Sequence, residues 1–249
     1  MSAAVLFGSF FVLLLLTVPI GYAIGISSLI AIYYFSDIPL IIIAQKSITG
    51  VDSFPLLAIP FFMLAGNLMS SGGIARRLVN FFDALIGHVT GGLGMVTIIV
   101  CMFFAAISGS AVATVSAVGA FMIPEMVDHG YNKPFSAALT AAAGTIGVII
   151  PPSIPFVIYG VVSGTSITDM FTAGFMPGIM MGAALMIVCY FVSKKNGYRG
   201  KEKASSAKEI WVAFKDAFWA ILSPVIILGG IYSGFFTPTE AAVISVVYS

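Results

Sequence analysis

The sequence predicts an all-α polytopic membrane protein, and three observations carry that prediction. Of 249 residues, 59% are hydrophobic and 8% charged, whereas soluble globular domains carry about 25% charged residues. The mean hydropathy is +1.09, so a soluble fold would lack the polar surface needed to cover its core. The apolar residues also fall into successive runs of 16 to 35 residues, the scale of the roughly 20 that a helix needs to cross a bilayer. Intrinsic disorder is excluded by the same composition. With 11 basic and 10 acidic residues, the chain has no electrostatic footprint for nucleic acid. Cys101 and Cys189 are the two cysteines. Both sit in apolar stretches and read as small core hydrophobes, because a disulfide framework or zinc site would need more partners than His88 and His129 supply. Met1-Ser2-Ala3 has no positive leader region, and no removable signal peptide is expected.

Residues 3–35 form the first apolar run. It contains Pro19 and Gly21 and is expected to be one tilted or kinked crossing, ended by Asp37 and Pro39. Residues 38–52 mix Gln45, Lys46 and Asp52 with apolar side chains and are expected at an interface. Residues 54–69 are the next crossing, closed by Ser70-Ser71-Gly72-Gly73 and followed by Arg76-Arg77. Residues 78–88 read as an amphipathic interfacial piece. Three further apolar runs cover 92–126, 135–164 and 171–192. The strongly charged stretch 194–208 follows, with Lys194, Lys195, Arg199, Lys201, Lys203 and Lys208. By the positive-inside rule it is cytoplasmic, as is Arg76-Arg77, and it is placed to touch anionic membrane lipid. Residues 209–218, with Trp211 inside and Trp219 just beyond, predict an interfacial helix. Residues 221–236 predict an outward crossing. The spaced glycine pairs at 21/25, 160/164, 174/178, 178/182 and 230/234 read as close-packing surfaces.

Side assignment constrains the middle of the chain. If 76–77 and 194–195 are both cytoplasmic, an even number of crossings separates them. The runs 135–164 and 171–192 supply two, so 92–126 must enter and leave on the cytoplasmic side. Ser108-Gly109-Ser110 breaks that run near its centre, and each half reaches about 20–25 Å at 1.5 Å per residue. This predicts a re-entrant helical hairpin. Two short full crossings satisfy the same parity.

A second interruption falls at Pro151-Pro152-Ser153-Ile154-Pro155. Prolines inside a helix remove donors, freeing the carbonyls of Gly147 and Val148, which cannot stay unpaired in hydrocarbon. Another helix, buried water or a cation could satisfy them. Ser108, Ser110, Thr114 and Ser116 are expected opposite. Hydroxyls facing broken-helix carbonyls form a set of neutral oxygens suited to Na⁺, and interrupted membrane segments are the best sequence pointer to a transporter's binding region. A proton-coupled carrier would instead need a buried carboxylate, whereas Asp52, Asp83, Glu125, Asp128 and Asp169 all fall near segment ends. An intramembrane enzyme is not expected, since neither His nor carboxylate lies near Ser108 or Ser153 in sequence. A channel fits less well than alternating access, because the breaks lie at mid-membrane depth.

Four motifs in order now carry a resemblance: Phe54-Pro-Leu-Leu-Ala-Ile-Pro-Phe-Phe-Met-Leu-Ala-Gly, Ser108-Gly-Ser-Ala-Val-Ala-Thr, Gly144-Thr-Ile-Gly-Val-Ile-Ile-Pro-Pro-Ser and Gly234-Phe-Phe-Thr-Pro-Thr-Glu-Ala-Ala. Along essentially the whole chain, the sequence resembles the large membrane subunit (DctM/SiaM type) of the tripartite ATP-independent periplasmic (TRAP) transporters, within the ion transporter superfamily. The resemblance implies half of an elevator-type transporter, with a re-entrant helical hairpin and a Pro-broken transmembrane helix, in the bacterial inner membrane. It implies sodium-driven import of an organic acid anion such as a C4-dicarboxylate, sialic acid or another sugar or keto acid. The implied partners are a small four-helix membrane subunit and a periplasmic substrate-binding protein. The alternative is a receptor-independent sodium–dicarboxylate elevator symporter. Carried over by motif, a sodium site would use Ser108 with the backbone oxygens of Gly147, Ile150 and Pro152. Ser110, Thr114, Val148 and Ser153 are further candidates.

The expected organisation is scaffold helices and an interfacial arm over 1–88, then a first transport repeat over 89–192. That repeat comprises a hairpin at 92–127, a broken helix at 135–164 and a helix at 171–192. A basic loop and arm helix over 193–220 and an outward helix with the start of a second repeat over 221–249 complete it. Family members have two inverted halves, whereas this chain reaches Ser249 ten residues into an apolar run that begins at Glu240, too short to cross. The second hairpin and a substrate-contacting arginine are therefore expected outside it, since Arg76, Arg77 and Arg199 lie at membrane edges. The chain alone is not expected to transport.

Overall fold

Prolines, glycines and capping residues decide where the apolar runs break into helices. The computed structural model describes residues 2–36, 38–201 and 203–249. Asp37, expected to end the first run, lies outside the described residues. Among the described residues all regular structure is helical. The chain divides into two units, Met1–Ser53 and Phe54–Ser249.

The first unit corrects the expected single crossing. It contains α1 (Ser2–Leu15), α2 (Ile20–Phe35) and α3 (Ile41–Thr49), and α1 packs against α2. The cause is local. Thr17 adopts φ 61°, the Val18 N–H reaches the Leu13 carbonyl at 3.1 Å and the Thr17 N–H reaches Leu14 at 2.9 Å. These are the paired bonds of a left-handed helix stop. Pro19, with no N–H to give, then starts α2 and accepts from the Ala23 N–H at 3.0 Å. Helix α3 buries none of its residues, consistent with the mixed composition of 38–52.

In the second unit, a 3₁₀ turn at Phe54–Leu57 runs into α4 (Ala58–Ser71), and together they make an apolar stretch of 18 residues. Gly73, at φ 74°, turns the chain into the amphipathic α5 (Ile74–Ile86). The hairpin consists of α6 (Gly92–Ser108) and α7 (Ala111–Asp128), packed against each other. The interrupted helix consists of α8 (Lys133–Thr145), a 3₁₀ turn at Ile146–Val148 and α9 (Ile154–Ser163). Helix α10 (Ile167–Asn196) has 30 residues, longer at both ends than the expected 171–192. The Ser166 hydroxyl accepts from the Asp169 N–H at its start, and Gly197 at φ 73° ends it.

Helix α11 (Ala207–Tyr232) merges what the sequence divided into an arm helix and an outward helix. A Ser206–Glu209 capping box starts it, and no glycine or proline falls between 207 and 223 to stop it. Pro224 is accommodated within the helix. Finally, α12 (Pro238–Tyr248) starts from a Thr237–Glu240 capping box and packs along α4. Among the described residues, four helical stretches are long and apolar enough to cross a membrane: Phe54–Ser71, Ala111–Asp128, Ile167–Asn196 and Ala207–Tyr232. The chain is an integral membrane protein by these segments.

In hydrocarbon, helices associate through close van der Waals contact rather than expulsion from water, and the glycines of α10 provide it. A Cβ at Gly174 would strike the Ile149 carbonyl oxygen at 2.5 Å, while Gly178 and Gly182 lie against the Ile150 and Met102 side chains. Gly160 and Gly230 abut Ile167 and Phe236. Gly164 and Gly234 depart from the packing expectation, as do Gly21 and Gly25, where a Cβ would meet nothing within 4 Å. Gly164 and Gly234 have positive φ (72° and 76°) and the same open space, so they turn the chain at helix ends instead. Cys101 and Cys189 are buried and free, as core hydrophobes would be.

The start of the basic stretch is more than a topological signal. Its backbone is bound to the base of the hairpin, with the Gly91 N–H donating to the Tyr198 carbonyl (3.1 Å) and the Lys201 N–H to the Gly87 carbonyl (2.9 Å). The Tyr198 ring stacks on Tyr131 with 4.3 Å between centroids, its hydroxyl accepts from the Asn132 N–H at 3.1 Å, and Lys201 pairs with Asp83.

Candidate functional site at two docked helix breaks

The two interruptions meet. At the hairpin tip Gly109 takes φ 62°, which ends α6 and reverses the chain. Its carbonyl, unable to continue the helix, accepts from the Ile154 N–H at 3.1 Å. That N–H belongs to the first residue of α9 and would itself be orphaned. One backbone bond thus ties the two breaks together. A Cβ at Gly109 would lie 2.7 Å from the Pro152 carbonyl oxygen and 3.3 Å from the Ile154 nitrogen. Only a glycine gives both the positive φ and this approach.

The second face of the junction is equally close. A Cβ at Gly147 would lie 3.2 Å from Thr114 Oγ1 and 3.3 Å from the Ala111 nitrogen. The peptide of Gly147 is therefore seated against the first turn of α7. The peptide bond between Pro151 and Pro152 is cis.

The hydroxyls gather on the hairpin side. Ser108 and Thr114 are buried at 1% and 0% exposure, with Ser108 Oγ and Thr114 Oγ1 3.2 Å apart. Thr114 Oγ1 donates to the Ser110 carbonyl at 2.8 Å. The Ser110 N–H donates to Ser108 Oγ at 3.4 Å, and Ser110 Oγ caps α7 by accepting from the Ala113 N–H at 3.4 Å. Both buried hydroxyls therefore keep acceptor capacity in hand. Ser116, expected among them, is exposed. It lies two residues beyond Thr114, about 200° around the helix from it.

On the opposite side the carbonyls divide. The Val148 oxygen, expected to be freed by the prolines, accepts from Ser153 Oγ at 2.7 Å. That hydroxyl also caps α9 by accepting from the Phe156 N–H at 3.4 Å. Val148 and Ser153 thus satisfy each other. Gly147, Ile150 and Pro152 are buried, and Pro152 faces the tip through Gly109. Ser108, Ser110, Thr114, Gly147 and Pro152 are brought together. Ile150 is held from behind by Gly178.

A third wall has no counterpart in the interruptions. Helix α4 approaches the tip at Gly66, where a Cβ would lie 2.9 Å from Ser108 Cβ and 3.1 Å from Ser108 Cα. Gly66 closes the first of the four sequence motifs, which was the only trace of this contact in the sequence. The remaining side is open, with Val112 at the start of α7 77% exposed.

The donor set is made of hydroxyl and peptide oxygens. Several acidic side chains are engaged elsewhere: Asp83 with Lys201, Asp216 with Arg77, Glu125 with His129, and Glu209 and Glu240 in capping boxes. Hard oxygen donors without nitrogen or sulfur suit alkali and alkaline-earth cations rather than transition metals. Without carboxylates, the set holds no negative charge to match a divalent ion.

Residues 7–249 match the family described as tripartite ATP-independent periplasmic transporter, DctM component. The chain is 49% identical over 98% of its length to the isethionate TRAP transporter permease protein DctMQ of Oleidesulfovibrio alaskensis, covering 38% of that protein. It is 41% identical over its full length to the C4-dicarboxylate TRAP transporter large permease protein DctM of Rhodobacter capsulatus, covering 60% of it. Over 95% of its length it is 45% identical to the sialic acid TRAP transporter large permease protein SiaM of Vibrio cholerae, covering 55% of that protein. The chain thus spans 38% to 60% of the length of these relatives.

Proposed function

The chain belongs to the DctM component family of the tripartite ATP-independent periplasmic transporters, a transport family rather than an enzyme family, and from that premise we propose that it forms part of a sodium-driven importer of organic acid anions. In this reading it acts in the bacterial inner membrane with a small four-helix membrane subunit and a periplasmic substrate-binding protein. The three relatives named above are described by isethionate, C4-dicarboxylate and sialic acid, all acid anions. The substrate class follows from them rather than from any residue of the site.

One observation carries the reading: the bond from the Ile154 N–H to the Gly109 carbonyl, which docks the hairpin tip, with its hydroxyls, on the broken helix. Sodium, as a co-transported ion, would be held by Ser108 with the backbone oxygens of Gly147, Ile150 and Pro152. Ser110 and Thr114 support Ser108, while Val148 and Ser153 stabilise the break itself. Bound there, the ion would supply a fixed positive charge beside the open face at Val112. The first turn of α7 adds its dipole and its unpaired N–H groups to that face, a suitable surface for a carboxylate or sulfonate. The hairpin is re-entrant in this scheme, and hairpin and broken helix move as one elevator body because the backbone bond and the glycine contacts join them.

The test is uptake of labelled isethionate, C4-dicarboxylates and sialic acid by the full-length protein with its membrane partner in proteoliposomes. Uptake is measured with and without the binding protein and a sodium gradient. Ser108→Ala is expected to raise the sodium concentration for half-maximal uptake by about tenfold or more, the equivalent of ~1.4 kcal/mol. Uptake that ignores sodium would overturn the coupling, and uptake that ignores the binding protein would favour the receptor-independent symporter.

A further inference from the structure

Resting on the sodium reading of the Ser108 site, we infer that Gly66 of α4 is a positioning residue for that site, setting the place of the Ser108 hydroxyl from behind. Ser108 is the last residue of α6, at a helix end where backbone bonding alone holds it loosely. Its side chain has two neighbourhoods. Oγ points into the polar cluster, 3.2 Å from Thr114 Oγ1 and 3.4 Å from the Ser110 carbonyl oxygen. Cβ points at α4, where Gly66 leaves room for it and for nothing more.

The surroundings make this contact unyielding. The atoms that a Gly66 methyl would meet are Ser108 Cβ at 2.9 Å and Cα at 3.1 Å, not the end of a flexible chain. Helix α4 cannot retreat easily, because Ala58, Phe62, Ala65 and Met69 are all fully buried and α12 packs along it. Ser108 cannot retreat either, since Gly109 is already held against Pro152. An added methyl therefore displaces Ser108 toward Thr114 and alters the spacing of the oxygens. Ion coordination depends on ligand distances to within about 0.2 Å, so the displacement changes ion affinity as well as packing.

The experiment is thermal unfolding of the full-length protein at increasing NaCl, with KCl holding ionic strength constant, so that no substrate is needed. A ligand that binds only the folded state raises Tm with its concentration. Gly66→Ala is expected to raise the sodium concentration giving half the stabilisation by about threefold or more. Gly230→Ala, which crowds the ring of Phe236 far along α11, is expected to lower Tm in both salts without moving that concentration. An unchanged sodium midpoint in Gly66→Ala, with a Tm loss equal in sodium and potassium, would reduce Gly66 to packing and overturn the inference. A wild-type protein whose Tm ignores sodium would sink the sodium reading first, and this inference with it. If Gly66→Ala does not accumulate, Ser108→Gly and the Gly66→Ala/Ser108→Gly pair carry the test, because removing the Ser108 Cβ takes away the closer contact and leaves Cα at 3.1 Å. The double variant is expected to accumulate with a Tm a few degrees at most below Ser108→Gly, and its failure to accumulate would overturn the contact.

Discussion

Ser153 and Val148 illustrate how a broken helix satisfies itself in a medium without water. One hydroxyl donates to the Val148 carbonyl and accepts from the Phe156 N–H, so it serves two backbone groups that the prolines and the helix start would leave unpaired. Ser153→Ala is expected to destabilise the full-length protein by about 1–3 kcal/mol, the cost of an orphaned buried acceptor, while Ser153→Thr keeps most of the stability. Thermal unfolding reads both. Ser153 lies outside the hydroxyl cluster of the tip, so the sodium midpoint should stay near wild type in Ser153→Thr. A large shift there would mean that Ser153 is itself a ligand.

At the scale of elements, helices stop where backbone chemistry tells them to, and hydropathy alone misplaces the stops. The run 3–35 is apolar throughout, yet Thr17 and Pro19 divide it into α1 and α2. Conversely, the change from polar to apolar near residue 220 suggested two elements, but α11 runs through it unbroken. Packing between elements rests on backbone proximity. Gly178 of α10 seats Ile150, and Gly178→Ala is expected to cost about 1–3 kcal/mol by overpacking, despite alanine's better helix propensity. A stability equal to or above wild type in thermal unfolding would show that Ile150 can move aside.

At the scale of the whole molecule, the positive residues and the hairpin predict one topology. If the hairpin enters and leaves on one face, as proposed above, Arg76, His129 and Lys203 belong on the same side of the membrane. Single cysteines at these exposed positions in the full-length protein should all react with a membrane-impermeant maleimide in inside-out vesicles and none in right-side-out ones. Opposite sidedness for His129 and Arg76 would mean that 92–128 crosses an odd number of times. The strap at Tyr198–Lys201 bears on the same question. Its bonds to Gly87 and Gly91 hold the end of α10 beside the start of the hairpin, so those two points share one membrane face.

How much of this was legible follows from the range of each interaction. Composition and the lengths of the apolar runs determined the membrane class. Proline and serine–glycine interruptions marked both breaks, and with them Ser108 and Gly147, because helix-breaking chemistry acts within a few residues and is written locally. The Thr17 stop escaped notice because threonine seldom takes a positive φ. What only the tertiary structure decided was which groups meet: that Gly109 bonds Ile154, that the Ser153 hydroxyl donates to Val148, that Ser116 turns away, and that α4 arrives at Ser108. Residue 66 is 42 positions from residue 108, and no local rule links them. A glycine in an apolar run looks alike whether it faces open space, as Gly21 does, or a catalogue of close contacts, as Gly174 does. The difference lies in the neighbour that packing brings to it.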